Sequence, residues 1–399
     1  DRRRARRRLF AAAAATTGLG LAGGALLWSA AAPWLAATAM LGGVGAAAAI
    51  LHRPGGVPIL VYHSVSPDAG WLPWATNTSV RPEVFRRHLE TLRRAGWAVI
   101  PTRALIEARR GGARLPGRAA VLHFDDGYLD NWLFAVPILR EYQMPATFFV
   151  SSDFVDRSNA VRTRADARTA EAWRGYMNAP ELRALDADPL FDVEAHGADH
   201  ARVPVSGRIV DRLTEANWRR HVPLAWAHDP TDKSRWFEAA RPPAPLRLGD
   251  PVPETDSALT GRWWRDGAAE TDAAVSERVG EALARARRQL AQVLGRAPDI
   301  LAWPFERSSA LAAAAARRAG FTVITGALGE NRADEAPDVL SRVHVQDRAF
   351  GGGPLWLEGL ALRARVDAAS GRHAWHALVA LAAVMRRRRF GRPGYGAAP

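Results

Sequence analysis

The chain has 399 residues, 48% of them hydrophobic, which is enough to bury a sizeable core and too apolar for global disorder. It contains no cysteine, which excludes disulfides, thiolate metal sites and thiol catalysis. Its formal net charge is +13, carried almost wholly by arginine because Lys233 is the only lysine.

That charge is lumped at the ends. Arg2, Arg3, Arg4, Arg6, Arg7 and Arg8 open the chain, and Arg386 to Arg389 stand near its close. Such runs fit the anionic head groups of membrane lipid. No nucleic-acid module accompanies them, so no nucleic acid is expected as a partner. Between the first cluster and His52, residues 9–51 contain no charged residue. About 20 apolar residues cross a bilayer, so this stretch holds one crossing with a spacer, or two short ones turning near Pro33.

Beyond a short linker, strand-like runs alternate with helical patterns. Val57 to His63 reads as a buried strand, and Arg81 to Trp97 as a helix with Phe85, Leu89 and Leu92 on one face. Ala119 to Phe124 is a strand, Asn131 to Tyr142 a helix, and Ala146 to Ser151 and Leu190 to His196 two more strands. Residues 201–270 break the pattern, being long, rich in Pro, Trp and Arg, and weakly periodic. Asp272 to Leu294 is an amphipathic helix stopped by Gly295. Three further strands follow, in Asp299–Phe305, Phe321–Ala327 and Val339–Val345, with an Ala-rich helix after the first. Leu355 to Gly391 reads as helical, with a short apolar run ending in arginines that suits a membrane surface. Alternation of this kind predicts a parallel sheet covered by helices, either a barrel or an open sheet, with chemistry at the carboxyl ends of its strands.

Asp125 and Asp126 sit where the strand Ala119 to Phe124 ends. Two adjacent like charges there describe either a solvated turn or a site where a cation compensates them. A second strand ends in His196-Gly-Ala-Asp-His200, whose histidines converge on one metal from a helical turn or a tight loop. Asp126, His196 and His200 make a one-carboxylate, two-histidine set with open positions. It suits zinc best, and cobalt, nickel and iron fit it as well. Open positions admit water and a substrate carbonyl together, the arrangement for metal-assisted hydrolysis.

With those residues in place the sequence resembles the NodB-type polysaccharide deacetylases, carbohydrate esterase family four. "HFDDGY" (His123 to Tyr128) resembles their first motif and "HGADH" their second. "LAWPF" (Leu301 to Phe305) resembles the third, a wall of the groove, and "LSRVH" (Leu340 to His344) the last. "YHSV" (Tyr62 to Val65) and "AWPF" are most similar to the biofilm poly-N-acetylglucosamine deacetylases of the PgaB and IcaB kind. The resemblance implies an α/β fold, a distorted (β/α) barrel, with a divalent metal and an acetylated amino-sugar polysaccharide as substrate. Carried over by position, Asp125 is the general base, Asp126, His196 and His200 are the metal ligands, and His344 is the general acid. Trp303, Pro304 and Phe305 line the substrate groove. Many members carry an arginine in the third motif, oriented on the base; Ala302 stands there, and Arg307 is the nearby substitute. His63 is read as structural, and Asp130 and Asn131 as a helix cap.

The organisation expected is therefore a basic N-terminus and transmembrane anchor in 1–56, a catalytic domain in 57–350 with an insertion at 201–270, and a C-terminal amphipathic helix and basic tail in 351–399. The catalytic domain is expected outside the bacterial cytoplasmic membrane, near exopolysaccharide synthesis and export proteins. A hairpin anchor would place it inside. The rival functions are an O-acetyl esterase using the same site and an inactive carbohydrate-binding scaffold.

Overall fold

The computed structural model describes residues 55–391 except 113, 165–171, 229–231, 330 and 333, together with residues 11 and 15–17. The expected N-terminal anchor lies outside the described residues, among which no helix is long and apolar enough to cross a membrane.

Seven parallel strands form a closed ring: β1 (Ile59–Tyr62), β3 (Ala119–Phe124), β4 (Ala146–Val150), β5 (Phe191–Ala195), β8 (Ile300–Leu301), β9 (Val323–Leu328) and β10 (Val339–His344). The order around the ring is β1-β10-β9-β8-β5-β4-β3, and β3 pairs back with β1, Ile59 against Val121 through Tyr62 against Phe124. A short strand, β2 (Ala98–Val99), joins the first residues of β3 from outside the ring. The strands are continuous apolar runs because both their faces are covered.

Side chains alternate across each strand. Ile59, Val121, Phe149, Ile300, Ala302, Val323 and Leu340 fill the barrel interior. Leu60, Tyr62, Leu122, Phe124, Phe148 and Val193 point outward beneath the helices. Those helices include α1 (Pro82–Arg94), α3 (Val136–Tyr142), α4 (Ala179–Asp186), α5 (Asp272–Leu294) and α6 (Ala310–Arg318), whereas α2 (Thr102–Arg109) packs Leu105 and Ile106 against the interior residues. α5 buries Val275, Val279, Leu283, Ala286 and Leu290 at helical spacing, is capped by the Thr271 side chain, and ends at Gly295 with φ 75°.

The described residues of 201–270 are folded. An antiparallel ribbon, β6 (Arg202–Arg212) with β7 (Pro251–Ser257), carries short helical turns between its strands. Trp218, Trp226 and Trp236 from this segment join Trp71, Trp74, Tyr128 and Tyr176 in a second apolar core. The weak periodicity arises because large aromatics at irregular spacing, rather than a regular amphipathic face, do the burying.

The C-terminal region is two helices, α7 (Leu355–Ala369) and α8 (His376–Phe390), rather than one. Nor is Asp130 a cap: its carboxylate accepts bonds from Ser64 Oγ (2.5 Å) and Val65 N (3.2 Å), and the following turn, Asn131–Ala135, is a π-helix.

Gly127 is the tightest constraint after β3. It has φ 74°, and an added Cβ would stand 3.1 Å from Val150 Cγ1. Gly127→Ala should destabilise the fold by about 1–3 kcal/mol, measured by denaturant unfolding. Unchanged stability would contradict the left-handed turn.

Candidate active site

The strand ladder itself places the site. Asp125 N–H donates to Tyr62 O (3.0 Å), His196 N–H to Val150 O (2.9 Å), Ala302 N–H to Ala195 O (2.9 Å) and Val345 N–H to Val61 O (3.0 Å). Residues at the carboxyl ends of six strands, β1, β3, β4, β5, β8 and β10, are thus held on one rim. Asp126 has φ 75° and Gly127 φ 74°, two successive left-handed residues that turn the chain sharply at the rim. A non-glycine residue there is strained, and such strain collects at functional sites.

Asp126, His196 and His200 each bring one ligand atom to within 4.8 Å of the others. His200 Nε2 is 2.9 Å and His196 Nε2 3.3 Å from Asp126 Oδ1. His196 Nδ1 lies 2.9 Å from the Ala302 carbonyl, which accepts only from an N–H, so in the neutral ring Nε2 is a lone pair. His200 Nδ1 is 3.5 Å from Ser151 Oγ. Asp126 Oδ1 is buried without a hydrogen-bond donor. The His196 lone pair facing an unsatisfied carboxylate oxygen calls for a cation between them. The donor set fits a divalent ion of the zinc type, and cobalt, nickel and iron accept the same donors. Burial opposes charging His196, but Asp125 and Asp126 outweigh it and raise its pKa, so these carboxylates draw a proton when no ion competes.

Asp125 is held differently. Its two oxygens accept Arg342 Nη1 and Nη2 at 2.8 and 2.7 Å. Burial would raise its pKa, but Arg342 and His196 outweigh that and hold it well below the usual carboxylate range. Arg342 is fully buried, 5.6 Å from the Phe149 ring centre, and also bonds Glu306. His344 Nε2 lies 3.7 Å from Glu306 Oε1 and its side chain is 26% exposed. The neighbouring acids therefore have separate partners, histidines for Asp126 and an arginine for Asp125.

The arginine expected at Arg307 is elsewhere: Arg307 pairs with Asp256 at 3.0 Å. Strand parity explains why Arg342 serves instead. Leu340 faces the barrel interior, so Arg342 and His344, two and four residues on, share its side. The sequence "LSRVH" carried that signal. Trp303 and Pro304 are also corrected. Both are buried, Trp303 with no exposure, so neither offers a ring face to a sugar. Phe305 is partly exposed, with its ring 5.3 Å from His200 and Arg202 5.1 Å above it. His63, read as structural, stands beside the site: its ring is 5.2 Å from that of His344, and burial pushes its pKa down to about 4 against the pull of Asp126 and Asp125.

One residue had no sequence signal. Lys233, from the 201–270 segment, is buried between Asp153 Oδ2 (2.8 Å) and Asp199 Oδ2 (2.5 Å). Asp199 precedes the candidate ligand His200, so this ion pair anchors that loop from behind.

Comparison with known proteins agrees with this geometry. Residues 112–227, which contain Asp125, Asp126, His196 and His200, match the polysaccharide deacetylase family. That segment is therefore similar to a polysaccharide deacetylase domain. A poly-β-1,6-N-acetyl-D-glucosamine N-deacetylase of Escherichia coli K12 is 28% identical over 159 residues, 34% of this chain; the match spans 24% of that relative's length. Two solved structures share the fold. A de-N-acetylase from Aggregatibacter actinomycetemcomitans has a TM-score of 0.50 at 21% identity, covering 72% of this chain and 94% of its own. The BpsB deacetylase domain of Bordetella bronchiseptica has a TM-score of 0.50 at 19% identity, covering 73% and 97%.

Removing Arg342 leaves Asp125 and Glu306 buried without their counter-charge. In metal-free deacetylase domain, Arg342→Met should lose about 3–5 kcal/mol at neutral pH, read by denaturant unfolding. Because the folded-state pKa values of both acids are lowered, that difference should shrink as pH falls through the carboxylate range, roughly below 4. A difference independent of pH would refute the pairing. Lys233→Met should weaken metal binding by about 10- to 100-fold in calorimetric titration, since it loosens the support of His200. Unchanged affinity would confine Lys233 to packing.

Proposed function

We propose that this chain is a metal-dependent hydrolase removing N-acetyl groups from an N-acetylglucosamine-containing polysaccharide, a biofilm exopolysaccharide in the first instance. One observation carries the reading: a three-ligand metal set stands beside a carboxylate that Arg342 keeps separately ionised. The E. coli relative, named for N-deacetylation of a poly-N-acetylglucosamine, supports an amino-sugar polymer as substrate.

Asp126, His196 and His200 would hold the ion, which when bound supplies Lewis acidity to a water and to the acetyl carbonyl. Asp125, oriented by the bidentate Arg342, takes the proton from the attacking water. His344, at the same rim and partly exposed, gives a proton to the leaving amine. Glu306, beside His344 and bonded to Arg342, links the acid end of the site to the base end. Phe305 offers its ring to a sugar face beside the metal loop. We place the domain outside the bacterial cytoplasmic membrane, tethered through residues 9–51 and near exopolysaccharide synthesis and export proteins. A reporter active only in the periplasm, fused after Pro54, checks this: activity supports it and inactivity overturns it.

Zinc-loaded protein should release acetate from N-acetylglucosamine oligomers. Asp125→Asn should lower kcat by about 10²- to 10⁴-fold with metal content unchanged, whereas His200→Ala should lose the metal as well. Full acetate release by Asp125→Asn would overturn the assignment of the base.

A further inference from the structure

The C-terminal helix α8 carries several of its apolar side chains outward. Among its described residues it buries only Ala382 and Arg386. Leu381, Val384 and Met385 are 51%, 38% and 42% exposed. With the exposed Ala377 and Ala380 they recur at three- and four-residue spacing, which makes one stripe along the outer face. Leu355 and Trp356, at the start of α7, are 40% and 55% exposed. Gly351, just before them, packs against the Met385 backbone and the Arg389 side chain, which brings the start of α7 to the carboxyl end of α8.

The helix cannot turn this stripe inward. Arg386 is buried and donates to the backbone carbonyls of Thr76, Asp347 and Arg348. One turn earlier, Ala382 sits in a small apolar cluster with Ala349, Phe350 and Ala361. These two contacts, four residues apart, fix the rotation of α8 and leave Arg387, Arg388 and Arg389 in solvent. From Gly371 to Pro399 the chain has no Asp or Glu. An aliphatic stripe with a tryptophan, bordered by arginines and free of acids, matches the chemistry of an anionic lipid interface.

The point of chain entry agrees. The backbone of Gly55 packs against Ser370 and Gly371, at the bend between α7 and α8. The charge-free residues 9–51 therefore join the described domain near the amino end of α8, while the exposed arginines mark its carboxyl end. A lipid surface lying along α8 touches both.

We propose that the outer face of α8, with Leu355 and Trp356, docks on an anionic lipid surface. The apolar stripe enters the interface, and Arg387, Arg388 and Arg389 meet the head groups. This inference does not depend on the deacetylase chemistry.

The chain has no cysteine, so Met385→Cys gives the full-length protein a single site for an environment-sensitive fluorophore. Leu381→Cys repeats the measurement, and Ala268→Cys, exposed in the 201–270 segment, is the control. With phosphatidylglycerol vesicles, the probes on α8 should shift to the blue and the control should not. Phosphatidylcholine should have little effect. Replacing Arg387, Arg388 and Arg389 by Gln should raise the lipid concentration for half effect by about 100-fold, roughly fivefold per arginine. Two results overturn the proposal. Blue emission without lipid, unchanged by vesicles, means that residues 9–51 or a second copy cover the face. Aqueous emission from protein that nevertheless floats with the vesicles means that the membrane contact lies elsewhere.

Discussion

The parallel pairing of Ile59–Tyr62 with Val121–Phe124 closes an open sheet into a ring, and the site exists because that ring is closed. Tyr62 O holds Asp125, Val61 O holds Val345, and Ala195 O holds Ala302, so residues distant in sequence become neighbours on one rim. Closure also sets which side chains face inward. An open sheet would leave Asp125 on one strand and Arg342 on a strand with no reason to be near it.

Once the acids are brought onto a buried rim, electrostatics decide what they do. Two ionised carboxylates on adjacent residues in low dielectric are unfavourable unless each has its own counter-charge. Arg342 takes Asp125 in a bidentate grip, and His196 and His200 stand at Asp126. The left-handed turn at Asp126 and Gly127 is what allows the division, because an extended chain would send successive side chains to opposite faces. The low pKa of Asp125 keeps it ionised at neutral pH, and Glu306 shares Arg342 with it.

The 201–270 segment adds support to this rim from outside the barrel. Its tryptophans complete a second core over Tyr128 and Tyr176, and its Lys233 reaches Asp153 and Asp199 behind the histidine loop. A segment without regular periodicity thus supports the histidine loop. The C-terminal helices sit on the flank of the same barrel, with Arg386 as their tie to the loops after β1 and β10.

Much was legible in the sequence where the physics is local. Continuous apolar strands, helical spacing in α5, the Gly295 stop, and Asp125, Asp126, His196 and His200 at strand ends follow from periodicity and residue chemistry, and they placed the metal and base candidates correctly relative to the strands. The parity of "LSRVH" also marked Arg342, though only knowledge of which face was interior makes that mark readable. The remainder depended on the tertiary structure because it concerns pairs and exposure, which no local pattern encodes. Packing buried Trp303 and Pro304 and left Phe305 at the groove. Long-range geometry gave Arg307 to Asp256 and Arg342 to Asp125, and brought Lys233 behind His200. The sequence alone determined the strands, the turns and the chemical types at their ends; only closure of the barrel decided which charges meet, because Coulomb energy and burial depend on distances through space that sequence separation does not set.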